Sequence, residues 1–241
     1  MKHPVFELCA PSLLAARAAE RGGADRIELC TDLSVGGVTP APGLVASVVQ
    51  AISIPVRVLI RPRAGDFVYS RDEFELICRQ IEAAKSAGAD GVVIGVLLPD
   101  SRVDVARSRA LAKLARPMMV TFHRAFDETT DPEQALEDVL ETGADCVLTS
   151  GGAPDVMAGA ECLARLRQLA GTRVEIMAGG GLRLENLDAV VRRTGVTSLH
   201  GSMTHDSGGA SFPDADLLEG SVRAAVKLLR YATADLNGHP A

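Results

Sequence analysis

Two nearly identical tetrapeptides, Phe6-Glu7-Leu8-Cys9 and Ile27-Glu28-Leu29-Cys30, each carry a carboxylate and a thiol two residues apart. In an extended strand this spacing puts Glu7 with Cys9, and Glu28 with Cys30, on one face, and the leucines on the other. Such a gathering offers two chemistries. The carboxylates can move protons, and the thiols Cys9 and Cys30 can form a two-thiolate site for a soft ion such as Cu(I). No methionine or histidine is paired with the thiols at ligand spacing, so packing is the competing role for sulfur. Two carboxylates on adjacent strands repel, so one should be protonated or both balanced by cations. The cations expected to do this are Arg61 and Arg63, in Ile60-Arg61-Pro62-Arg63. A purely structural ion-pair plug is the alternative.

His123 ends the run Thr121-Phe122-His123, shares the parity of Thr121, and is expected to exchange protons near neutral pH. Glycines cluster at Ser150-Gly151-Gly152, Gly179-Gly180-Gly181 and Gly201-Ser202. Bare backbone N–H groups in such turns cradle anions, so Arg63, Ser150, Gly151, Gly179, Gly180, Gly181 and Ser202 form a candidate anion-binding rim.

These residues need elements to hold them. Helix-like stretches end in Gly-Ala-Asp at Gly23, Gly88 and Gly143, each followed at once by an apolar run, with an echo at Gly195. The glycine suits a left-handed helix terminus. The spacings of 65, 55 and 52 residues are about twice one βα step, so the joint marks every second strand. The unmarked strands are then VFELC (5–9), VRVLI (56–60), MMVTFH (118–123) and VEIMA (174–178). Between them lie helix signals such as Asp131-Pro132, an N-cap and first-turn proline, followed by Ala135, Leu136, Val139 and Leu140 at core spacing. Eight βα units with no linker to divide them predict one α/β domain over 1–241, a (β/α)8 TIM barrel, with a flexible tail from about residue 233. The candidate residues would then lie at the C-terminal ends of the strands. The first βα turn, ELCAPS, lacks the glycine fingerprint of a dinucleotide site, and no nucleotide cofactor is indicated.

Composition narrows the partners. At 241 residues and 47% apolar, with a net charge of −6, the chain can bury a large core and carries no basic stripe for nucleic acid. No stretch has the length and apolarity of a membrane span, and the five cysteines show no zinc-finger or disulfide spacing, so a cytoplasmic protein is expected.

The stretches "GGADRIELC", "GGVTPAPGL", "IRPRAGDFVYS", "VTFHRAFD", "LTSGG" and "IMAGGG" resemble the CutC copper homeostasis family, from the first strand to about His200. The resemblance implies a (β/α)8 barrel, a cytoplasmic location, a tendency to form homo-oligomers, and a role in copper tolerance or copper binding. By position it implies Cys9 and Cys30 as the copper residues. Val35 stands where the family leads one to expect a carboxylate, and the segment after His200 departs from the family's pattern. Two functions therefore remain open: copper binding through Cys9 and Cys30, or an enzyme of isomerase or lyase type. The enzyme would act on a small anionic metabolite, a phosphorylated one among the candidates, with Glu7, Glu28, Arg61 and His123 as the catalytic set.

Overall fold

A computed structural model of the chain describes residues 4–203 and 214–237. Eight parallel strands alternate with eight helices: β1 (Val5–Ala10), β2 (Arg26–Leu29), β3 (Val56–Leu59), β4 (Gly91–Ile94), β5 (Met119–Phe122), β6 (Cys146–Thr149), β7 (Glu175–Gly179) and β8 (Ser198–Gly201). The strands pair in sequence order and β8 pairs with β1, closing a TIM barrel. The intervening helices are α1 (Leu13–Gly22), α2 (Pro42–Ala51), α3 (Arg71–Ser86), α4 (Val105–Ala115), α5 (Pro132–Thr142), α6 (Ala160–Ala170), α7 (Leu187–Thr194) and α8 (Ala215–Asn237). The proposed start of a loose tail near residue 233 meets helical backbone as far as Asn237, and residues 238–241 lie outside the described residues. Most of the eighth loop, 204–213, lies outside them too. No helix among the described residues is long and apolar enough to cross a membrane.

The recurring Gly-Ala-Asp joint has two physical jobs. Gly23 and Gly143 close α1 and α5 with φ near +87° and +82°, and Gly88 follows α3 with φ +84°. A β-carbon is disfavoured there, which is why glycine recurs. The aspartate then reaches sideways to the strand before. Asp25 Oδ2 accepts the Phe6 N–H, Asp90 Oδ2 the Val56 N–H and Asp145 Oδ2 the Val120 N–H, each at 2.8 Å. Each carboxylate therefore satisfies an N–H at the start of the odd-numbered strand beside it. At the fourth joint Gly195 also takes a left-handed φ of +65°, but Val196 and Thr197 follow, and the Thr197 carbonyl accepts the Val5 N–H instead.

Helix α5 forms as its residues predict. Asp131 accepts N–H groups from Glu133 and Gln134, Pro132 opens the helix, and Ala135, Leu136 and Val139 are buried. The leucines of the two tetrapeptides, Leu8 and Leu29, pack outward into the layer between barrel and helices. Cys9 and Cys30 join Leu59 and Val93 in a separate small cluster inside the barrel.

Candidate functional site

The bottom of the lumen is a charged plug. Glu7, fully buried, receives the Arg26 Nε–H at 2.5 Å, lies 3.6 Å from Arg57 Nη1, and meets His200 Nδ1 at 2.9 Å. Arg26 also donates to Glu175 at 2.7 Å and to Ser198 at 3.0 Å, and Arg57 donates to Thr121 at 2.9 Å. Burial by itself would push the Glu7 carboxyl up. The His200 hydrogen bond and the Arg26 and Arg57 charges outweigh it and hold Glu7 at about 2. Glu7 is thus a permanent anion beneath the cavity floor rather than a wall of it.

This corrects the expected pairing. Arg61 and Arg63 do not balance the carboxylates. Arg61, buried, donates through Nη1 to the Val35 and Gly37 carbonyls at 2.8 and 2.9 Å and through Nη2 to the Gly65 carbonyl at 2.9 Å. It binds the second and third βα loops together. Arg63 turns outward to Glu73 and Asp66, at 2.5 and 2.9 Å. The balancing cations are Arg26 and Arg57, at strand positions of lumenal parity. Strand parity identifies a face but not a level: the register sets Glu7 beside Arg26 and Glu28 beside Arg57, and reading across adjacent strands in this way was the available signal.

Above the plug, at the C-terminal ends of the strands, opens a cavity of about 430 Å³ whose walls include Cys9, Glu28, Arg61, His123, Gly180 and His200. Ser202 and Gly181 also line it. Glu28 differs from Glu7 in having no guanidinium hydrogen bond. Burial pushes its carboxyl up to about 7; the nearby His200 and Arg57 oppose that shift, and the negative charge of Glu7 adds to it. For His200, burial disfavours the charged ring, but the Glu28 charge and the Glu7 hydrogen bond raise its pKa above the ordinary 6.5. Glu28 therefore titrates near neutrality, and beside it His200 holds its proton more tightly than an ordinary imidazole; no motif in the sequence around His200 marks it.

His123 behaves otherwise. Its Nδ1 accepts the Ala125 N–H at 3.0 Å, at the start of a short 3-10 turn, Arg124–Glu128. Burial, reinforced by the Arg61 charge, pulls it down to about 3, so the ring is neutral at physiological pH and is no proton exchanger there. With Nδ1 an acceptor, the neutral ring carries its proton on Nε2.

The anion rim also divides. Gly180 and Gly181 face the cavity with φ +108° and +69°. Gly179 belongs to β7, where a β-carbon would meet Leu148 at 2.5 Å, and Ser150 and Gly151 lie outside the cavity walls. The cradle after β6 is filled from within. The Asp127 carboxylate accepts from Thr149 Oγ1, from Ser150 N–H and Oγ–H, and from Gly152 N–H. Gly151 spends its N–H on Thr149 Oγ1 at 2.8 Å.

Sulfur has more company than its neighbours in sequence indicate. Cys9 Sγ and Cys30 Sγ lie 3.1 Å apart as free thiols, and Cys9 Sγ approaches Glu28 Oε1 at 4.0 Å. One ligand atom from each of the three lies within 4.8 Å of the others. The Cys30 contact, burial and the adjacent carboxylates raise the Cys9 thiol well above its usual range, so its proton stays on until something displaces it.

The likenesses agree with this architecture. A chain from Chromobacterium violaceum described as a family protein CutC is 48% identical over 198 residues, which is 82% of this chain and 80% of that one. The human copper homeostasis protein cutC homolog is 46% identical over 206 residues, or 85% of this chain and 76% of that one. The crystal structure of a CutC protein from Streptococcus agalactiae, at 30% identity, superposes with a TM-score of 0.79 and covers 83% of this chain and all of its own. The CutC family model matches residues 5–205, from the first strand through the eighth, and the chain belongs to the CutC family.

Proposed function

We propose that the protein works in copper homeostasis by taking up Cu(I), as cargo, on Cys9 and Cys30 at the floor of the barrel-mouth cavity. The observation that carries this reading is the pair of free thiols 3.1 Å apart, with Cys9 on the cavity wall and Glu28 beside it. Thiolate is the donor that soft Cu(I) prefers, and two of them converge here from adjacent strands. Because the Cys9 thiol is protonated at rest, metal entry must expel its proton, and uptake should strengthen as pH rises. The Glu28 carboxylate, ionising above about pH 7, adds a third donor and a local negative charge for a cation.

The five cysteines are all free, which supports a reducing, cytoplasmic setting. The exposed Leu14 of α1, with Leu217 and Tyr231 of α8, supports a homo-oligomer. Titration of the reduced protein with Cu(I) against a chromogenic chelator tests the central claim. One Cu(I) per chain with proton release is expected, and Cys9→Ser or Cys30→Ser should each weaken it by at least about tenfold. Unchanged affinity in both variants would overturn the reading.

A further inference from the structure

Among the described residues, five buried side-chain polar atoms have no hydrogen-bond partner, and three of the five belong to side chains lining the same cavity: Glu28 Oε2, Arg61 Nε and His123 Nε2. Buried polar atoms are ordinarily partnered, so three of them on one cavity mark where a polar ligand would be received. Their chemistry is complementary. Arg61 Nε–H is a donor in every protonation state, and His123 Nε2 carries the ring proton because Nδ1 already accepts the Ala125 N–H. The two donors sit on the β3 and β5 side, one on either contact of Phe67: Arg61 Cζ is 5.0 Å from its ring centroid and the His123 ring centroid is 4.9 Å away. Glu28, on β2, offers an acceptor, or a donor when protonated.

The rest of the cavity restricts the ligand. Leu33, Leu59 and Leu148 supply apolar wall for a carbon skeleton, and a volume of about 430 Å³ suits a small metabolite. At the rim the Arg124 guanidinium packs within 3.0 to 3.2 Å of where a Gly180 β-carbon would stand. Glycine there keeps backbone and cation together at the mouth, a combination that favours an anionic group.

We propose that this cavity binds a short hydroxy- or keto-acid, or its phosphate ester, with ligand oxygens accepting from His123 Nε2–H and Arg61 Nε–H and a hydroxyl facing Glu28. The site shares Glu28 with the copper reading but takes its donors from Arg61 and His123, which that reading does not use. It therefore stands or falls apart from the copper reading, provided it is measured on reduced, metal-free protein. The probes are glycolate, pyruvate and 2-phosphoglycolate at millimolar concentration, with inorganic phosphate as a separate arm, followed by calorimetry. At least one organic acid should bind, and His123→Phe, which keeps a ring but removes the donor, should weaken it by roughly tenfold or more. Tighter binding of 2-phosphoglycolate than glycolate assigns the rim to a phosphate, and the reverse order assigns it to a carboxylate; either supports the site. Binding of inorganic phosphate alone, no binding at all, or undiminished binding by His123→Phe overturns it. Should that variant not fold, nitrogen-15 NMR of the wild-type ring decides: the Nε2 resonance must shift on addition of the bound acid, and a resonance that stays in place refutes the contact.

Discussion

Glu7 and Glu28 are the same side chain on neighbouring strands, and their neighbours give them opposite lives. Glu7 is held at about 2, below its ordinary 4.5, so its share of stability is present above pH 4.5 and is lost as the pH falls towards 2. Glu28 is raised from 4.5 to about 7, so the folded protein holds a proton that the unfolded chain has released, and stability falls as pH climbs between those values. Glu28→Gln should remove that fall. Measured by urea unfolding, its stability relative to the parent should rise by on the order of 3 kcal/mol between pH 4.5 and pH 8. A pH-independent difference would show that Glu28 is not the group responsible. Sequence parity placed both glutamates in the lumen but could not distinguish them, since only the three-dimensional register brings Arg26 to one and leaves the other open. His123 illustrates the same limit: its position at a strand end was legible, but its neutrality follows from burial and from Arg61, neither visible in the local sequence.

At the scale of elements, the Gly-Ala-Asp joint was the most legible feature because it must satisfy two local demands at once, a left-handed helix exit and a strand N–H without a partner. Asp90→Ala should leave the Val56 N–H unsatisfied and cost about 1–3 kcal/mol, read as a lower urea midpoint at unchanged slope. No loss would mean that water takes the place of the carboxylate. The glycine loops were less legible. The same residue types after β6 and β7 look alike as a string, yet Asp127, contributed by the preceding βα loop, fills one turn and leaves Gly180 and Gly181 to the cavity. Which turn a remote carboxylate occupies is a packing outcome, and Asp127 carried no mark of it beyond its place in "HRAFD".

Across the whole molecule, the lumenal plug ties together six of the eight strands: Glu7 on β1, Arg26 on β2, Arg57 on β3, Thr121 on β5, Glu175 on β7, and Ser198 with His200 on β8. Glu7→Gln would take the shared anion from two buried guanidiniums, leaving Arg57 with Thr121 and Arg26 with Glu175 and Ser198, and a loss of about 3–5 kcal/mol is expected in thermal or urea unfolding. A loss under about 1 kcal/mol would show that the cluster is solvated enough to rearrange. The closed barrel itself was foreseeable from the count and spacing of βα units, because eight of them make the (β/α)8 barrel and the first turn lacks the glycine fingerprint of the rival open, doubly wound sheet. The aspartate clasps also bear on how such a chain folds. They join residues 19, 34 and 25 positions apart, separations short enough for each odd strand to find its even neighbour before the barrel exists. The β7–β8 pair has Thr197 in place of the aspartate and passes its bond to Val5 at the other end of the chain. Three pairs thus carry their own carboxylate clasp, whereas the fourth lends its bond to the seam, where Val5 on Thr197 and Glu7 on His200 join the first strand to the last.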